Sequence, residues 1–199
     1  MRLYAGLSTH FVHDAVHNQI AEKLKSAFFK HYRYQPPPSE VNAWRNSLRA
    51  MAAVVEEGGL DDHGVMLEYR LPLTSKRLDC LVCGRDREGR DEAVIVELKQ
   101  WEQCHEAVGD KLVSTFVGGA EREVLHPAAQ VGQYRQYLED THTAFYDGDA
   151  PILLSACAYL HNYVPVDEDA LFDARFAPIL ETDPVFTGDD VDRGCPGAC

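Results

Sequence analysis

Three observations predict an α/β fold with a mixed sheet flanked by helices. Two stretches before residue 60 carry apolar residues at helical spacing, three short runs between residues 65 and 99 have strand character, and a helical stretch then precedes an apolar run ending near residue 159. The order helix, helix, three strands, helix, strand fits an α/β sandwich around a mixed sheet. With 199 residues and 45% hydrophobic content, the chain is large enough for one domain with a true core.

From Ser8 to about Tyr32, apolar residues recur at Val12, Val16, Ile20, Leu24, Ala27 and Phe28, a spacing that predicts one amphipathic helix stopped by Pro36, Pro37 and Pro38. Ser39 stands where an N-cap is expected. Val41, Trp44, Leu48, Met51, Ala52 and Val55 then form an apolar stripe, and Gly58-Gly59 ends this second helix. Strands are predicted at residues 65–71, 77–83 and 92–99, the last two joined by a charged turn, as an antiparallel meander. A segment rich in glycine and charge, residues 102–123, leads to a helix from about Pro127 to Glu139, where proline suits the first turn. Residues 151–159 are apolar almost throughout and read as a strand buried on both faces. Beyond Tyr163 the chain turns acidic and ends in Gly194-Cys195-Pro196-Gly197-Ala198-Cys199, which reads as a cut end or a flexible tail.

The N-terminus runs straight into polar sequence, without the apolar stretch of a signal peptide or membrane span, so a soluble, cytoplasmic protein with no membrane partner is expected. Six irregularly spaced cysteines then read as reduced thiols. Cys80 and Cys83 lie at an odd offset in a strand, on opposite faces, which disfavours a shared zinc. His10, His13 and His17 fall on one face of the first helix, where a solvated face is the stronger reading than a metal site. The net charge of -13 argues against strong sequence-independent binding to a polyanion, although carboxylates gathered around a cation contribute to that count.

The chemistry concentrates in Ala93-Val94-Ile95-Val96-Glu97-Leu98-Lys99. Its first four residues are apolar, as in a central strand, and its end places an acid and a lysine two apart, hence on one face. Charges at the end of a buried strand are costly unless paired, coordinated or used. Asp79 in the preceding strand can converge with Glu97 if the two strands form a hairpin. Two carboxylates and the Leu98 carbonyl suit a hard cation such as Mg²⁺ or Mn²⁺, which polarises a phosphoryl oxygen and acidifies a bound water. Lys99 is placed to orient that water or neutralise developing charge. Glu68 reads either as a further metal ligand or as a buried partner of Arg70 or Arg77, and Arg77 either as a phosphate contact or as a salt-bridge partner of Asp79 or Glu68. Trp101 reads as core packing or as a base-stacking surface, and His126 either as a helix cap, the stronger reading, or as a residue facing the active site.

These residues resemble the PD-(D/E)XK nuclease domain found ahead of Schlafen-group-3-like DNA/RNA helicases. The resemblance is carried by Glu68-Tyr69-Arg70-Leu71-Pro72, Ser75-Lys76-Arg77-Leu78-Asp79 and Ile95-Val96-Glu97-Leu98-Lys99-Gln100-Trp101, and spans roughly residues 39–137, more weakly to 186. It implies a restriction-endonuclease-like αβββαβ core at residues 39–165, after a helical extension (1–38) and before an acidic C-terminal segment (166–199). It also implies a metal role for Glu40 in the first core helix. His126-Pro127-Ala128-Ala129-Gln130-Val131-Gly132-Gln133-Tyr134 resembles the QxxxY motif of RecB-type nucleases, with Gln130 and Tyr134 supporting the metal site or the nucleic-acid backbone. Gln133 with Tyr137 has the same spacing and stays open as a second frame.

The expectation is a Mg²⁺- or Mn²⁺-dependent deoxyribonuclease in DNA processing or defence against foreign DNA, with Asp79, Glu97 and Lys99 catalytic. The chain carries no GxxxxGK[ST] phosphate loop, so an ATPase or helicase would have to come from a further domain or subunit; a homodimer is compatible with the sequence. The rivals are an inactive nuclease-like module that binds nucleic acid or docks on a partner, and an RNA-directed nuclease.

Overall fold

A computed structural model describes residues 1–192 of the chain. Two compact units divide it, Met1–Ala93 and Val94–Cys199.

The first unit begins with strand β1 (Tyr4–Leu7) and helices α1 (Ser8–Val16) and α2 (Ile20–Tyr32). The single helix expected across this span is therefore broken. Asn18 sits in the left-handed region at φ 56°, a conformation asparagine tolerates better than most residues, and the amides of Asn18 and Gln19 close the end of α1 on Ala15 and Asp14. The apolar stripe shifts in consequence: Phe11 and Ala15 are buried, whereas Val16 is exposed. Helix α3 (Pro38–Glu57) follows. Pro38 takes its first position and Pro37 the cap position, with no side-chain cap, so Ser39 is not the N-cap; the fixed φ of proline suits the first turn. Both α1 and α2 pack on α3.

Strands β2 (Gly64–Arg70) and β3 (Arg77–Arg85) pair antiparallel, Leu67 opposite Cys80 and Tyr69 opposite Leu78, and β1 pairs antiparallel with the other edge of β2. Leu67, Leu78 and Cys80 supply buried side chains. Strand β4 (Asp91–Lys99) runs across the boundary between the units.

The second unit gives regular structure to the segment rich in glycine and charge. Strands β5 (His105–Glu106), β6 (Leu112–Val117) and β7 (Ala120–Leu125) form a separate antiparallel sheet, and Gly118 and Gly119, both at positive φ, make the two-residue turn between β6 and β7. Helix α4 (Pro127–Thr141) and strand β8 (Leu153–Leu160) match the expected positions, but β8 is buried only from Ala156 onward, with an exposed N-terminal half. The acidic segment is built into the fold as far as it is described. Helix α5 (Ala177–Thr182) leads to strand β9 (Val185–Thr187), parallel to β8, and α6 (Gly188–Asp192) follows. Leu171, Phe176 and Val185 join Trp101, Val113, Ala128, Ala158 and Leu160 in one apolar cluster. Cys195 and Cys199 lie outside the described residues.

The main sheet is mixed and six-stranded, in the order β1-β2-β3-β4-β8-β9, and helices flank it. Among the described residues no helix is long and apolar enough to cross a membrane.

Candidate active site

The sequence-predicted residues gather in two groups, one in each unit. In the second, Glu97 near the end of β4 is 4% exposed, and its Oε1 accepts a bond from the Lys99 ammonium at 2.7 Å, as their two-residue spacing on one strand face allows. Gln130 on α4 locks this pair. Its Oε1 accepts from Lys99 at 3.0 Å, while its Nε2 donates to Glu97 Oε1 at 2.5 Å and to the Tyr134 hydroxyl at 3.0 Å, one helical turn on. The charges at either end fix which way the amide points. Of the two motif frames, Gln130 with Tyr134 is the one turned inward; Gln133 is exposed.

The other oxygen of Glu97, Oε2, is buried and has no hydrogen-bond partner. An unpaired buried acceptor costs about 1–3 kcal/mol, more when charged, so the arrangement leaves one anionic valence that a cation would satisfy. Trp101, expected either as core or as a stacking surface, is core, with the Lys99 ammonium 5.9 Å from its ring centroid.

In the first unit the structure collects Glu40, Trp44, Glu68 and Arg77. Trp44 Nε1 donates to Glu68 Oε1 at 2.6 Å. Arg77 Nη2 donates to Glu40 Oε1 at 2.5 Å, and Arg77 Nη1 stands 3.1 Å from Glu68 Oε2 as an ion pair without hydrogen-bond alignment. Burial works against the guanidinium charge, yet Glu68 and Glu40 outweigh it and raise its pKa further. Arg77 is thus a salt-bridge residue here, and Glu40 and Glu68 already face a cation. Glu68 also occupies the left-handed region at φ 53°, unusual for a strand residue, between Leu67, which faces Cys80, and Tyr69, which faces Leu78. Asp79 is half-buried on β3 with Arg77 two residues away on the same face. Sequence reading offered Arg77 as a partner of Glu68; it missed the Trp44 indole, which the apolar stripe of α3 had absorbed.

Among the described residues, no three His, Cys, Asp or Glu side chains form a group able to hold a metal ion. His13 and His17 stack on each other at 4.3 Å, and all three first-helix histidines are exposed. His126 is the expected cap: fully buried, it accepts from the Ala128 amide at 3.2 Å and bonds the Leu171 carbonyl through Nε2 at 2.9 Å.

Compared with known proteins, the chain matches no family model, no curated protein and no solved structure.

Proposed function

We propose that the chain is a divalent-metal-dependent nuclease that hydrolyses DNA phosphodiester bonds, in DNA processing or defence against foreign DNA. The observation that carries this reading is the buried, unpartnered Oε2 of Glu97 beside Lys99. A structural ion pair at a strand end would be expected to satisfy both carboxylate oxygens; a ligand for a hard cation keeps one in reserve.

Glu97 and the Leu98 carbonyl would hold Mg²⁺ or Mn²⁺, with Asp79 the second carboxylate that the resemblance assigns. When bound, such a cation supplies Lewis-acid polarisation of the phosphoryl oxygen and an acidified water. Lys99 keeps its ammonium on the Glu97 face of β4, where it would orient a water or neutralise charge developing on the phosphoryl group. Gln130 holds carboxylate and ammonium in register, and Tyr134 holds Gln130. Arg77 neutralises Glu40 and Glu68, so these two serve the placement of the Asp79 strand rather than the metal.

The test is digestion of single- and double-stranded DNA and RNA in EDTA, Mg²⁺ or Mn²⁺, alongside Asp79→Ala and Lys99→Ala. Metal-dependent cleavage of DNA that both variants lose supports the reading. Cleavage of RNA alone would replace the substrate, and absence of both cleavage and metal binding would leave the inactive binding module.

A further inference from the structure

We infer that the end of α2 is a platform for a single-stranded nucleic-acid segment, with Phe29 and Tyr34 as base-stacking faces and Lys30 and Arg33 as backbone contacts. The inference deepens the nuclease reading by naming strandedness, and it rests on that reading only for its link to cleavage.

Charge is distributed unevenly along the chain. Residues 1–93 carry 13 basic and 13 acidic side chains, whereas residues 94–199 carry 6 and 19, so the whole net charge of -13 belongs to the second unit. Within the first, no acidic residue occurs between Lys23 and Ser39, a stretch that holds Lys23, Lys25, Lys30 and Arg33. Lys23 and Lys25 face Asp14 and Glu22, but among the described residues Lys30 and Arg33 have no ion-pair partner.

Aromatic rings interleave with these cations in Phe28-Phe29-Lys30-His31-Tyr32-Arg33-Tyr34. Phe28 is buried and anchors the cluster, with Tyr32 at 4.5 Å and Tyr34 edge-on at 5.2 Å. Tyr34 nevertheless stays 57% exposed and Phe29 45% exposed. Arg33 produces this geometry. It ends α2 in the left-handed region at φ 65°, where glycine would be unstrained, and turns the chain so that Tyr34 folds back along the helix end. An arginine in that conformation costs stability that a glycine would not, and it leaves an exposed cation directly before Tyr34 in the chain.

Ring faces are useful to a partner only if its own flat faces are accessible. Bases in a single strand meet that condition and bases stacked in a duplex do not, while phosphates take the lysine and arginine.

The experiment measures binding of a fluorescent single strand of about 12 nucleotides, DNA and RNA in separate arms, in EDTA, against a duplex of the same sequence and against heparin. The expected result is tighter binding of the single strand than of the duplex, and displacement by unlabelled oligonucleotide well below the charge-equivalent amount of heparin. Tyr34→Ala and Phe29→Ala each weaken binding at least about fivefold with the salt dependence unchanged. Lys30→Gln lowers the slope of log affinity against log salt by about 0.7. Arg33→Gly weakens binding while raising the melting temperature, a combination that loss of structure cannot give. No binding, equal binding of the duplex, heparin competing charge for charge, or wild-type affinity in Tyr34→Ala would each overturn the inference. Binding by this platform without cleavage in Mn²⁺ would sink the nuclease reading and leave the platform standing. Cleavage unaffected by the aromatic variants would do the reverse.

Discussion

Replacing Arg77 with methionine removes the cation shared by Glu40 and Glu68 and keeps most of the apolar stem. The side chain of Glu68 is 8% exposed, that of Glu40 22% and that of Arg77 27%. Stranding one member of a buried ion pair costs about 3–5 kcal/mol, and the partial exposure of Glu40 and Arg77 places this case at the lower end, about 3 kcal/mol. Glu68→Gln alone keeps an acceptor for the Trp44 indole and leaves Arg77 on Glu40, so its cost is about 1 kcal/mol. The two losses do not add. In the double variant no buried charge is stranded at position 68, and it should be about 1–2 kcal/mol more stable than Arg77→Met. Urea unfolding in EDTA, read from midpoints at constant slope, measures all three. A loss below about 1 kcal/mol in Arg77→Met, or a double variant no more stable than that single one, would refute the account of Arg77 as the neutralising centre of a buried network.

Other consequences are as direct. A Cβ at Gly132 would lie 2.6 Å from Asp183 Oδ2, the carboxylate that Arg135 holds through Nε at 2.7 Å. Gly132→Ala should therefore destabilise by about 1–2 kcal/mol despite the better helix propensity of alanine, and a stabilised variant would show that Asp183 moves freely. Burial lowers the pKa of His126, more than its bond to the Leu171 carbonyl raises it. A histidine held neutral contributes stability that is complete above its unfolded pKa of about 6.5 and is lost as pH falls through the lower folded value. Unfolding free energy should fall there by up to about 1.4 kcal/mol per pH unit, and His126→Asn should remove that part of the slope. Mn²⁺ at a hundredfold excess over its dissociation constant should stabilise the wild-type chain by about 2.7 kcal/mol, and Glu97→Gln should abolish this in the same thermal melts.

Legibility in the sequence followed the strength of local signals. Helix α3, strands β2 to β4 and helix α4 stand close to where periodicity placed them, because each combines an apolar pattern with a clear stop. The break between α1 and α2 was hidden because Asn18 lies within an otherwise helical pattern, and one left-handed residue leaves no trace in hydrophobic spacing. The β6–β7 hairpin has a readable signal in Gly118-Gly119 flanked by Val117 and Ala120, but the charges around it mask the strand pattern. The acidic C-terminal segment looked solvated, yet its apolar residues, Leu171, Phe176 and Val185, complete a core. Within the candidate site, Glu97 and Lys99 are legible because strand periodicity brings them to one face, whereas the Gln130–Tyr134 pair is legible only through its resemblance to the QxxxY motif, since Gln133 and Tyr137 share its spacing. The Glu40–Arg77–Glu68–Trp44 arrangement depends on tertiary placement of α3, which pairwise spacing does not encode.

The central claim is tested most directly by measuring Mn²⁺ affinity and DNA cleavage on the same preparations of wild type, Glu97→Gln and Lys99→Ala. The account predicts that Lys99→Ala keeps Mn²⁺ binding while cleavage falls at least about a hundredfold, and that Glu97→Gln loses both. Wild-type protein that neither binds Mn²⁺ nor cleaves, or a Lys99→Ala variant that cleaves at the wild-type rate, would contradict it.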